Sequence, residues 1–397
     1  MNKTVRVVMY VLSLLTVIAV LAALVMAGRK NVTNQNMPQE DKAQTQEQND
    51  KTQAQEQNDK TQTQEQNDKT QTQEQEQEQA KSEDVPQTDD TTIIFTGDVL
   101  FANAFKAGYD ANGIRGVVSE ELLQELNDAD ILMINNEFAF SDHGTPMEDK
   151  QFTFRCSPSY VTALQEMGVD VVSLANNHTL DYGKQALLDT FCTIENAGIL
   201  YGGAGESVAR AEEVQTITIN GKTYGFIAVS RVVPTADWKV ENSMPGLFCC
   251  YDETRLVEIV KEAKKNCDFV AVYPHWGVEY EAYPEKYQTD IAEKCIKAGA
   301  DVVVGAHTHC LQGVSFIEGK PVCYSLGNFV FGQNIERSAI LKVTIDASET
   351  VTYQFLPVYA TGGVTCLATG SQAAQILSYL DGISQDATVD ADGSITE

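Results

Sequence analysis

The apolar runs of this chain end repeatedly in side chains that bind metal ions or move protons. The polar residues at these ends are Asp98, Glu137, Asn177, His178, His275, His307 and His309. Four of the five histidines in the chain belong to this set. A single histidine is more often structural, but histidines placed only for packing would not collect at the ends of apolar runs. The pattern therefore predicts a metal or catalytic site.

The pair His307 and His309 is separated by one residue after an apolar run. This spacing places two imidazoles on one side of an extended turn, where they reach one ion or two neighbouring ions. Carboxylate, imidazole and amide ligands suit Mn²⁺, Zn²⁺ or Fe. Two ions about 3.5–4 Å apart would activate water and stabilise charge on a phosphoryl or acyl centre. One carboxylate must bridge such a pair, and Glu137 is the candidate.

Strands that alternate with helices must position these side chains. Helical patterns cover residues 184–197 and 287–298, and an Asn-Gly turn joins the two strands of residues 214–229. A second hairpin joins residues 338–345 to 350–358. Parallel βα units with hairpins predict a mixed α/β sandwich with helices on both sheets. Polar strand ends then meet at the carboxyl edge, where ligand sites form.

The N-terminal segment, residues 1–30, predicts a single transmembrane signal-anchor. It has an uncharged run of 21 residues, Val7–Ala27, preceded by Lys3 and Arg6. That length spans a bilayer core, and the positive flank keeps the N-terminus in the cytoplasm. We therefore expect a cell-membrane protein with an extracellular globular domain. A signal peptide cleaved after Val25-Met26-Ala27 is the alternative.

Composition divides the rest of the chain into three parts. Residues 31–90 form a polar repeat with 15 Asp and Glu against 5 Lys, which predicts a disordered linker. Residues 91–384 carry the apolar runs and form the predicted domain, which ends in a helix near 372–384. Residues 385–397 are predicted to be a frayed acidic tail. The formal net charge of −28 argues against nucleic acid as a partner.

Six motifs, in this order, resemble the CapA-type poly-γ-glutamate capsule synthesis family, which is similar to calcineurin-like metallophosphoesterases. They are FTGDVLF, NNEF, SLANNHTLDYG, PHWGVEY, GAHTH and YSLGNFVF. The resemblance covers most of the predicted domain and implies a metallophosphoesterase-like mixed β-sandwich flanked by helices. It also implies metal ligands at Asp98, Glu137, Asn177, His275, His307 and His309. His178 would be the acid beside the leaving group.

Two departures from the phosphoesterase pattern leave the number of ions open. A histidine two residues after the first aspartate is replaced by Leu100. Glu137 stands where the phosphoesterases have a bridging Asp. One or two Mn or Zn ions are therefore both compatible with the sequence.

Three further residues are candidates for catalysis or substrate binding. Glu279 is a candidate general base, or an acid that contacts the metal ligands and not the ion. The alternative is a solvated charge at the protein surface. Arg155 would hold a substrate carboxylate or phosphate, or else form a structural ion pair. Asn328 is assigned to substrate binding, with hydrogen bonding to loop backbone as the alternative.

Three functions are compatible with this sequence. The first is a metal-dependent hydrolase that acts on an envelope polymer or a phosphorylated precursor, in poly-γ-glutamate biosynthesis as the resemblance implies. The second is a non-catalytic subunit that binds nascent polymer or membrane polyglutamate synthase subunits. The third is a phosphodiesterase unrelated to capsule.

Overall fold

The computed structural model describes residues 90–397, apart from Ser243. Within this part of the chain, no helix is both long enough and apolar enough to cross a bilayer. The predicted membrane anchor, residues 1–30, lies outside the described residues. So does the predicted linker, residues 31–90, except for Asp90.

The described residues form helices and strands in alternation. The strands are β1 Thr91–Val99, β2 Ile131–Asn136, β3 Ala139–Phe140, β4 Arg155–Cys156, β5 Val171–Ser173, β6 Leu200–Gly202, β7 Ala204–Gly205, β8 Gln215–Ile219, β9 Lys222–Ser230, β10 Gly246–Leu247, β11 Phe269–His275, β12 Val302–Val304, β13 Leu311–Ile317, β14 Lys320–Leu326, β15 Asn328–Val330, β16 Ile335–Ile345, β17 Val351–Thr361, β18 Val364–Leu367, β19 Thr388–Val389 and β20 Ile395–Thr396. The helices are α1 Asn103–Asn112, α2 Glu120–Asp128, α3 Val161–Glu166, α4 Gly183–Asn196, α5 Val208–Ala211, α6 Thr254–Asn266, α7 Lys286–Ala298 and α8 Gly370–Ile383.

The first sheet has the order β18-β17-β16-β1-β2-β5-β6, with β15 also paired to β1. Strands β1, β2, β5 and β6 are parallel neighbours, whereas β16, β17 and β18 continue the sheet as antiparallel strands. The register pairs Asp98 with Asn135 of β2 and with Asn328 of β15. The polar ends of these strands therefore lie at one edge.

The second sheet has the order β13-β14-β12-β11-β9-β8. Its four central strands are parallel, and an antiparallel strand closes each side. His275, the last residue of β11, pairs with Ser230 at the end of β9 and bridges to Ala306 after β12. The carboxyl edge of this sheet therefore also carries polar residues, His275 and Ser230.

Apolar side chains from both sheets form a shared core between them. Phe95 of the first sheet and Phe226 of the second lie in this core, with ring centroids 6.2 Å apart. Tyr273 is fully buried there and donates a hydrogen bond of 2.6 Å to the carbonyl of Thr96. The two sheets are therefore packed face to face.

Helices cover the outer face of each sheet. Phe105 of α1, Leu122 of α2 and Phe191 of α4 pack in the core outside the first sheet. Leu256 of α6 and Ile291 of α7 pack outside the second sheet. The predicted mixed α/β sandwich is confirmed, and it fits the metallophosphoesterase-like domain that the resemblance implies. Both predicted hairpins are present as β8–β9 and β16–β17.

The C-terminal residues differ from the frayed acidic tail predicted for 385–397. Strands β19 and β20 form a hairpin whose Val389 and Ile395 are buried in the core between the sheets. The backbone of Phe355 donates a hydrogen bond of 2.8 Å to the carbonyl of Gly393. Four of the thirteen residues of this segment are acidic, but the buried side chains of Val389 and Ile395 determine its packing.

Candidate metal centre

The carboxyl edges of both sheets supply the candidate ligands. From the first sheet, Asp98 belongs to the end of β1, Glu137 follows β2 and Asn177 follows β5. From the second sheet, His275 ends β11 and His307 follows β12. All five side chains are buried. Residues that are far apart in sequence meet here because parallel strands end at the same edge.

Two groups of donor atoms are close enough to hold a metal ion, and Glu137 belongs to both. The first group is Glu137, His275 and His307, and the second is Asp98, Glu137 and His309. Within each group the donor atoms all lie within 4.8 Å of one another. A carboxylate shared by two adjacent groups has the placement of a bridging ligand.

Glu137 is fully buried, and neither of its carboxylate oxygens has a hydrogen-bond partner among the described residues. Nε2 of His275 lies 3.6 Å from Oε1 of Glu137, which is too far for a hydrogen bond. Nδ1 of His307 also has no partner in this part of the chain. A buried carboxylate without hydrogen bonds is costly, so these unpaired atoms fit a cation bound between them.

Glu137 and His309 both have raised pKa values. Burial raises the pKa of Glu137 well above its usual range, and Asp98 adds to the rise. Burial would lower the pKa of His309, but Glu137, Asp98 and a hydrogen bond to Asn328 raise it to about 10. The carboxylates therefore attract positive charge at this position.

His275 and His307 have the opposite shift. Burial lowers the pKa of His275 well below its usual range, and His307 and His309 lower it further. Burial also lowers the pKa of His307 to about 4, despite the opposing charge of Asp98. Both rings are therefore neutral near pH 7, and a neutral imidazole is the form that binds a metal ion.

Asn177 and Asp98 adjoin these histidines directly. Oδ1 of Asn177 lies 2.8 Å from Nε2 of His275. The backbone N–H of His307 donates to Asp98 at 3.2 Å, and Asn135 donates to the same carboxylate at 2.8 Å. These bonds fix the orientation of Asp98 and leave the centre composed of carboxylate, imidazole and amide oxygen donors. That donor set fits Mn²⁺ or Zn²⁺.

The turn that carries the two histidines after β12 has unusual backbone geometry. His307 and His309 have backbone φ angles of 102° and 58°, which residues other than glycine rarely adopt. Thr308 between them is fully buried, and its hydroxyl bonds to Oγ of Ser325 at 2.8 Å. Such conformations persist where the surrounding structure holds them, and they are frequent at functional sites.

His178 lies beside the donor groups and is held by Asp181. Its Nδ1 is 2.7 Å from Oδ2 of Asp181, which is completely buried. Burial lowers the pKa of His178, and the hydrogen bond to Asp181 opposes this change. Because Nδ1 is committed to Asp181, Nε2 is the nitrogen left for proton transfer.

Lys150 also belongs to this cluster, although no sequence pattern pointed to it. Its ammonium contacts the carbonyl of Asn177 and the carboxylate of Asp181, and it lies 3.2 Å from Nδ1 of His178. The group also lies over the ring of Trp238, 5.1 Å from its centroid. Lys150 lies in an irregular loop without hydrophobic periodicity, so nothing local placed it near the strand ends.

The sequence matches the family described as bacterial capsule synthesis protein, PGA_cap, over residues 92–333. That match covers more than half of the chain. The chain belongs to the bacterial capsule synthesis protein family. This result confirms the resemblance drawn from the six motifs.

Several relatives of the chain are named for PGA, capsule or polyglutamine synthesis. The chain is 31% identical over 214 residues to "PGA biosynthesis protein CapA" of Bacillus subtilis. That alignment covers 53% of this chain and 56% of the relative. It is 33% identical over 221 residues to "Capsule biosynthesis protein CapA" of Bacillus anthracis, covering 53% and 52%. A Mycobacterium tuberculosis relative named "Probable polyglutamine synthesis accessory protein" is 28% identical over 210 residues, covering 51% and 55%. The chain thus spans about half the length of the curated relatives it matches.

A crystal structure of a hypothetical protein from Thermus thermophilus is similar to 67% of this chain and 99% of its own chain. The identity is 16% and the TM-score is 0.43. These values are too low to carry an argument about function.

The remaining candidates occupy different positions in this capsule synthesis domain. Asn328 lies at the centre, where its Oδ1 accepts a hydrogen bond of 2.9 Å from Nδ1 of His309. Glu279 is exposed and belongs to neither donor group, although its charge acts on Glu137. Leu100, at the position where phosphoesterases have a second histidine, is buried and apolar.

Arg155 forms no ion pair among the described residues, so the structural ion pair given as its alternative role is absent there. Its guanidinium donates to the carbonyls of His143 and Gly144 and lies over the ring of Tyr182. The structural ion pair is therefore replaced by carbonyl contacts. These contacts fix the loop between β3 and β4, the loop that also carries Lys150.

Proposed function

We propose that this protein is a metal-dependent, hydrolase-like enzyme of the cell envelope that acts in poly-γ-glutamate capsule or related polymer biosynthesis. The single observation that carries the proposal is the environment of the Glu137 carboxylate. It is fully buried, its two oxygens have no hydrogen-bond partner among the described residues, and it is shared by both donor groups.

The residues that would hold divalent ions are Asp98, Glu137, Asn177, His275, His307 and His309. A bound Mn²⁺ or Zn²⁺ supplies Lewis-acid stabilisation of negative charge at the scissile bond. Leu100 offers no donor atom. The second donor group therefore consists of Asp98, His309 and the shared Glu137. One ion or two are both compatible with these donors.

The roles of His178 and its neighbours follow from their contacts. Asp181 holds Nδ1 of His178 at 2.7 Å, which fixes the ring and leaves Nε2 to give a proton to the leaving oxygen. Lys150 joins the loop before β4 to Asp181 and to the backbone of Asn177. It therefore keeps the proton donor and the amide ligand in one arrangement.

The polymer is inferred from the relatives. Two of them are named for PGA or capsule biosynthesis, and this chain belongs to the capsule synthesis protein family. The apolar segment Val7–Ala27 supports a single-pass anchor with the domain outside the cell. In that location a polymer or phosphorylated precursor and the membrane synthase subunits are the expected partners.

Metal-dependent turnover tests the proposal. The full chain is purified in detergent, stripped with a chelator and reconstituted with Mn²⁺ or Zn²⁺. Hydrolysis of γ-linked polyglutamate and of an aryl phosphodiester is then measured with and without metal. We expect turnover of the polymer only after reconstitution. Metal-dependent turnover of the phosphodiester alone would favour a phosphodiesterase unrelated to capsule.

A non-catalytic assembly subunit is the second candidate. The word "accessory" in the name of the Mycobacterium tuberculosis relative and the apolar Leu100 both favour it. This candidate predicts retention of polymer without turnover in either assay. Binding that persists after chelation, with no product formed, would replace the hydrolase proposal by this one.

A further inference from the structure

The motif PHWGVEY supplies the ligand candidate His275 and ends five residues later at Tyr280. Tyr280 is 74% exposed, the highest value among the exposed large hydrophobic residues of the described part. Its ring nevertheless lies beside the candidate metal centre, because its centroid is 6.1 Å from that of His309. Neither the metal ligands nor the proton donor explains why a tyrosine stands at this place.

The backbone of Tyr280 lies in the left-handed region, with a φ angle of 65°. Tyr280 is the third residue of a turn that is closed by a hydrogen bond of 3.2 Å from the N–H of Glu281 to the carbonyl of Val278. Turns with a positive φ angle at this position usually have glycine or asparagine there. For a bulky residue such as tyrosine this conformation is strained.

Two contacts join the loop of Tyr280 to the turn that carries the two histidines after β12. The N–H of Tyr280 donates a hydrogen bond of 2.8 Å to the carbonyl of Thr308, the residue between those histidines. Gly277 approaches the same residue so closely that a Cβ would lie 2.5 Å from Cγ2 of Thr308. Residues 276–280 are therefore fixed to the histidine turn, and the ring of Tyr280 keeps its position relative to His309.

Burial does not offset the strain at Tyr280. Because most of the side chain is exposed, it adds little to the apolar core. Glycine would adopt the same backbone conformation without steric cost. Strained residues persist where the surrounding structure holds them, and they are frequent at active sites and ligand clamps. The position of Tyr280 therefore favours a role in binding over a role in folding.

Two aromatic rings flank His309. The centroid of Tyr280 is 6.1 Å from that of His309, and the centroid of Phe331 is 5.1 Å from it. Phe331 is half-buried, so Tyr280 is the ring that is exposed to a molecule arriving from solvent. His309 forms the second donor group with Asp98 and Glu137. The exposed ring of Tyr280 therefore adjoins this donor group.

We propose that Tyr280 is a substrate-positioning residue of the candidate metal centre, and that its ring forms the wall of the substrate site beside His309. The ring packs against the part of the substrate next to the scissile bond, and the strained turn keeps the ring at that place. A tyrosine ring offers a large, rigid contact area at a low cost in conformational entropy. This inference rests on the proposed function, because it adds a binding residue to the same site.

Steady-state kinetics of the full chain, reconstituted with metal in detergent, test the proposal. The substrates are γ-linked polyglutamate and the aryl phosphodiester. Tyr280→Ala is expected to raise KM about tenfold and to leave kcat within about twofold, as loss of a binding contact does. Tyr280→Phe keeps the ring and should keep the KM of the wild type. Metal content should be equal in all three proteins, because Tyr280 belongs to neither donor group.

Tyr283→Ala is the matched control. Tyr283 is a second tyrosine of the same loop and is 59% exposed, but within the described residues its ring contacts none of the candidate ligands. This variant should keep the KM of the wild type. An equal rise in KM in Tyr283→Ala, an unchanged KM in Tyr280→Ala, or a Tyr280→Phe variant that behaves like Tyr280→Ala would overturn the proposal. Loss of metal from Tyr280→Ala would also overturn it, because the ring would then support a ligand and not the substrate.

Thermal unfolding tests the strain on which the proposal depends. Tyr280→Gly and Tyr280→Ala both lack the ring, and both should show the raised KM. Tyr280→Gly should have a Tm about 2–4 °C higher than Tyr280→Ala, because glycine alone adopts the left-handed conformation without steric cost. If the Tm of Tyr280→Gly is not the higher one, the backbone at this residue is not strained and the proposal fails.

Failure of the proposed function gives a different result. If the wild type hydrolyses neither substrate but retains γ-linked polyglutamate, the hydrolase proposal fails, and the Kd for that polymer replaces KM in the same comparison. If the wild type neither hydrolyses nor retains a substrate, both proposals fail. If turnover requires metal but KM does not depend on Tyr280, only the role of Tyr280 is wrong.

Discussion

His178 and His307 differ in what their side chains contact. His307 belongs to a donor group with Glu137 and His275, whereas His178 bonds Asp181 and belongs to neither group. Loss of a ligand removes the ion, but loss of a proton donor leaves it bound. These two residues therefore separate metal binding from proton transfer.

Alanine variants of the two histidines test this separation. His178→Ala is expected to keep its metal and lose about 10²–10⁴ in turnover, the usual contribution of general acid catalysis. His307→Ala should lose metal and turnover together. Elemental analysis and initial rates on the same preparations check both. Full activity of His178→Ala would remove the proton-donor assignment, and His143→Ala, at an exposed histidine, is the control.

Sequence reasoning reached the residues that follow strands and missed those that do not. Asp98, Glu137 and the histidines stand after apolar runs, so periodicity alone placed them at one edge. Lys150 has no such context, because its position depends on how a loop folds back on Asp181.

At the scale of elements, the end of β1 requires glycine. A Cβ on Gly97 would lie 1.7 Å from the carbonyl oxygen of Gly327, in the segment between β14 and β15. That segment accepts a hydrogen bond of 3.0 Å from the backbone of Asp98 and precedes Asn328. The close approach of two backbones therefore positions one ligand and the partner of His309.

Gly97→Ala is expected to reduce the free energy of unfolding by about 1–3 kcal/mol and to lower metal content. Gly382→Ala is the control, because a Cβ there meets nothing within 4 Å. Gly382 lies in α8, where alanine is favoured over glycine by up to about 1 kcal/mol. Thermal unfolding and elemental analysis of both variants give the comparison. Equal metal content and stability in both would show that the contact at Gly97 does not matter.

The β19–β20 hairpin contributes to the core between the sheets. Val389→Ala should reduce the free energy of unfolding by roughly 1–3 kcal/mol, because it removes methyl groups from a buried site. Thr388→Ala, at the exposed neighbouring position, should have little effect. Chemical denaturation measures the difference. If the two variants have equal stability, the C-terminal hairpin does not form part of the domain core.

The sequence predicted strands and helices more accurately than it predicted the C-terminus. The pattern of 214–229 contains an Asn-Gly turn that selects a hairpin by its backbone preference, so local chemistry was sufficient. The C-terminal hairpin has only two large apolar side chains that are buried, Val389 and Ile395, on either side of an acidic turn. Its stability comes from tertiary packing, which no local pattern records.

At the scale of the whole molecule, the location proposed for the domain depends on the N-terminal segment. The run Val7–Ala27 is long enough to span a bilayer and is expected to remain attached. N-terminal sequencing of protein recovered from membranes should find the segment intact. Ala27→Leu, which alters the alternative cleavage site, should give the same N-terminus. A mature chain that begins at Gly28 would mean that the domain is released.

The net charge of −28 constrains how the molecule would meet the acidic polymer proposed for it. Unscreened repulsion would oppose binding of that polymer, whereas metal ions at the centre would attract its charges locally.

Metal content of the wild-type chain and of Glu137→Gln tests the central claim most directly. The substitution keeps the shape of the side chain and removes the carboxylate that both donor groups share. After reconstitution with Mn²⁺ or Zn²⁺, elemental analysis should find about one to two equivalents per wild-type chain and far less in the variant. A wild-type chain that retains no metal, or a variant that retains as much as the wild type, would contradict the metal centre.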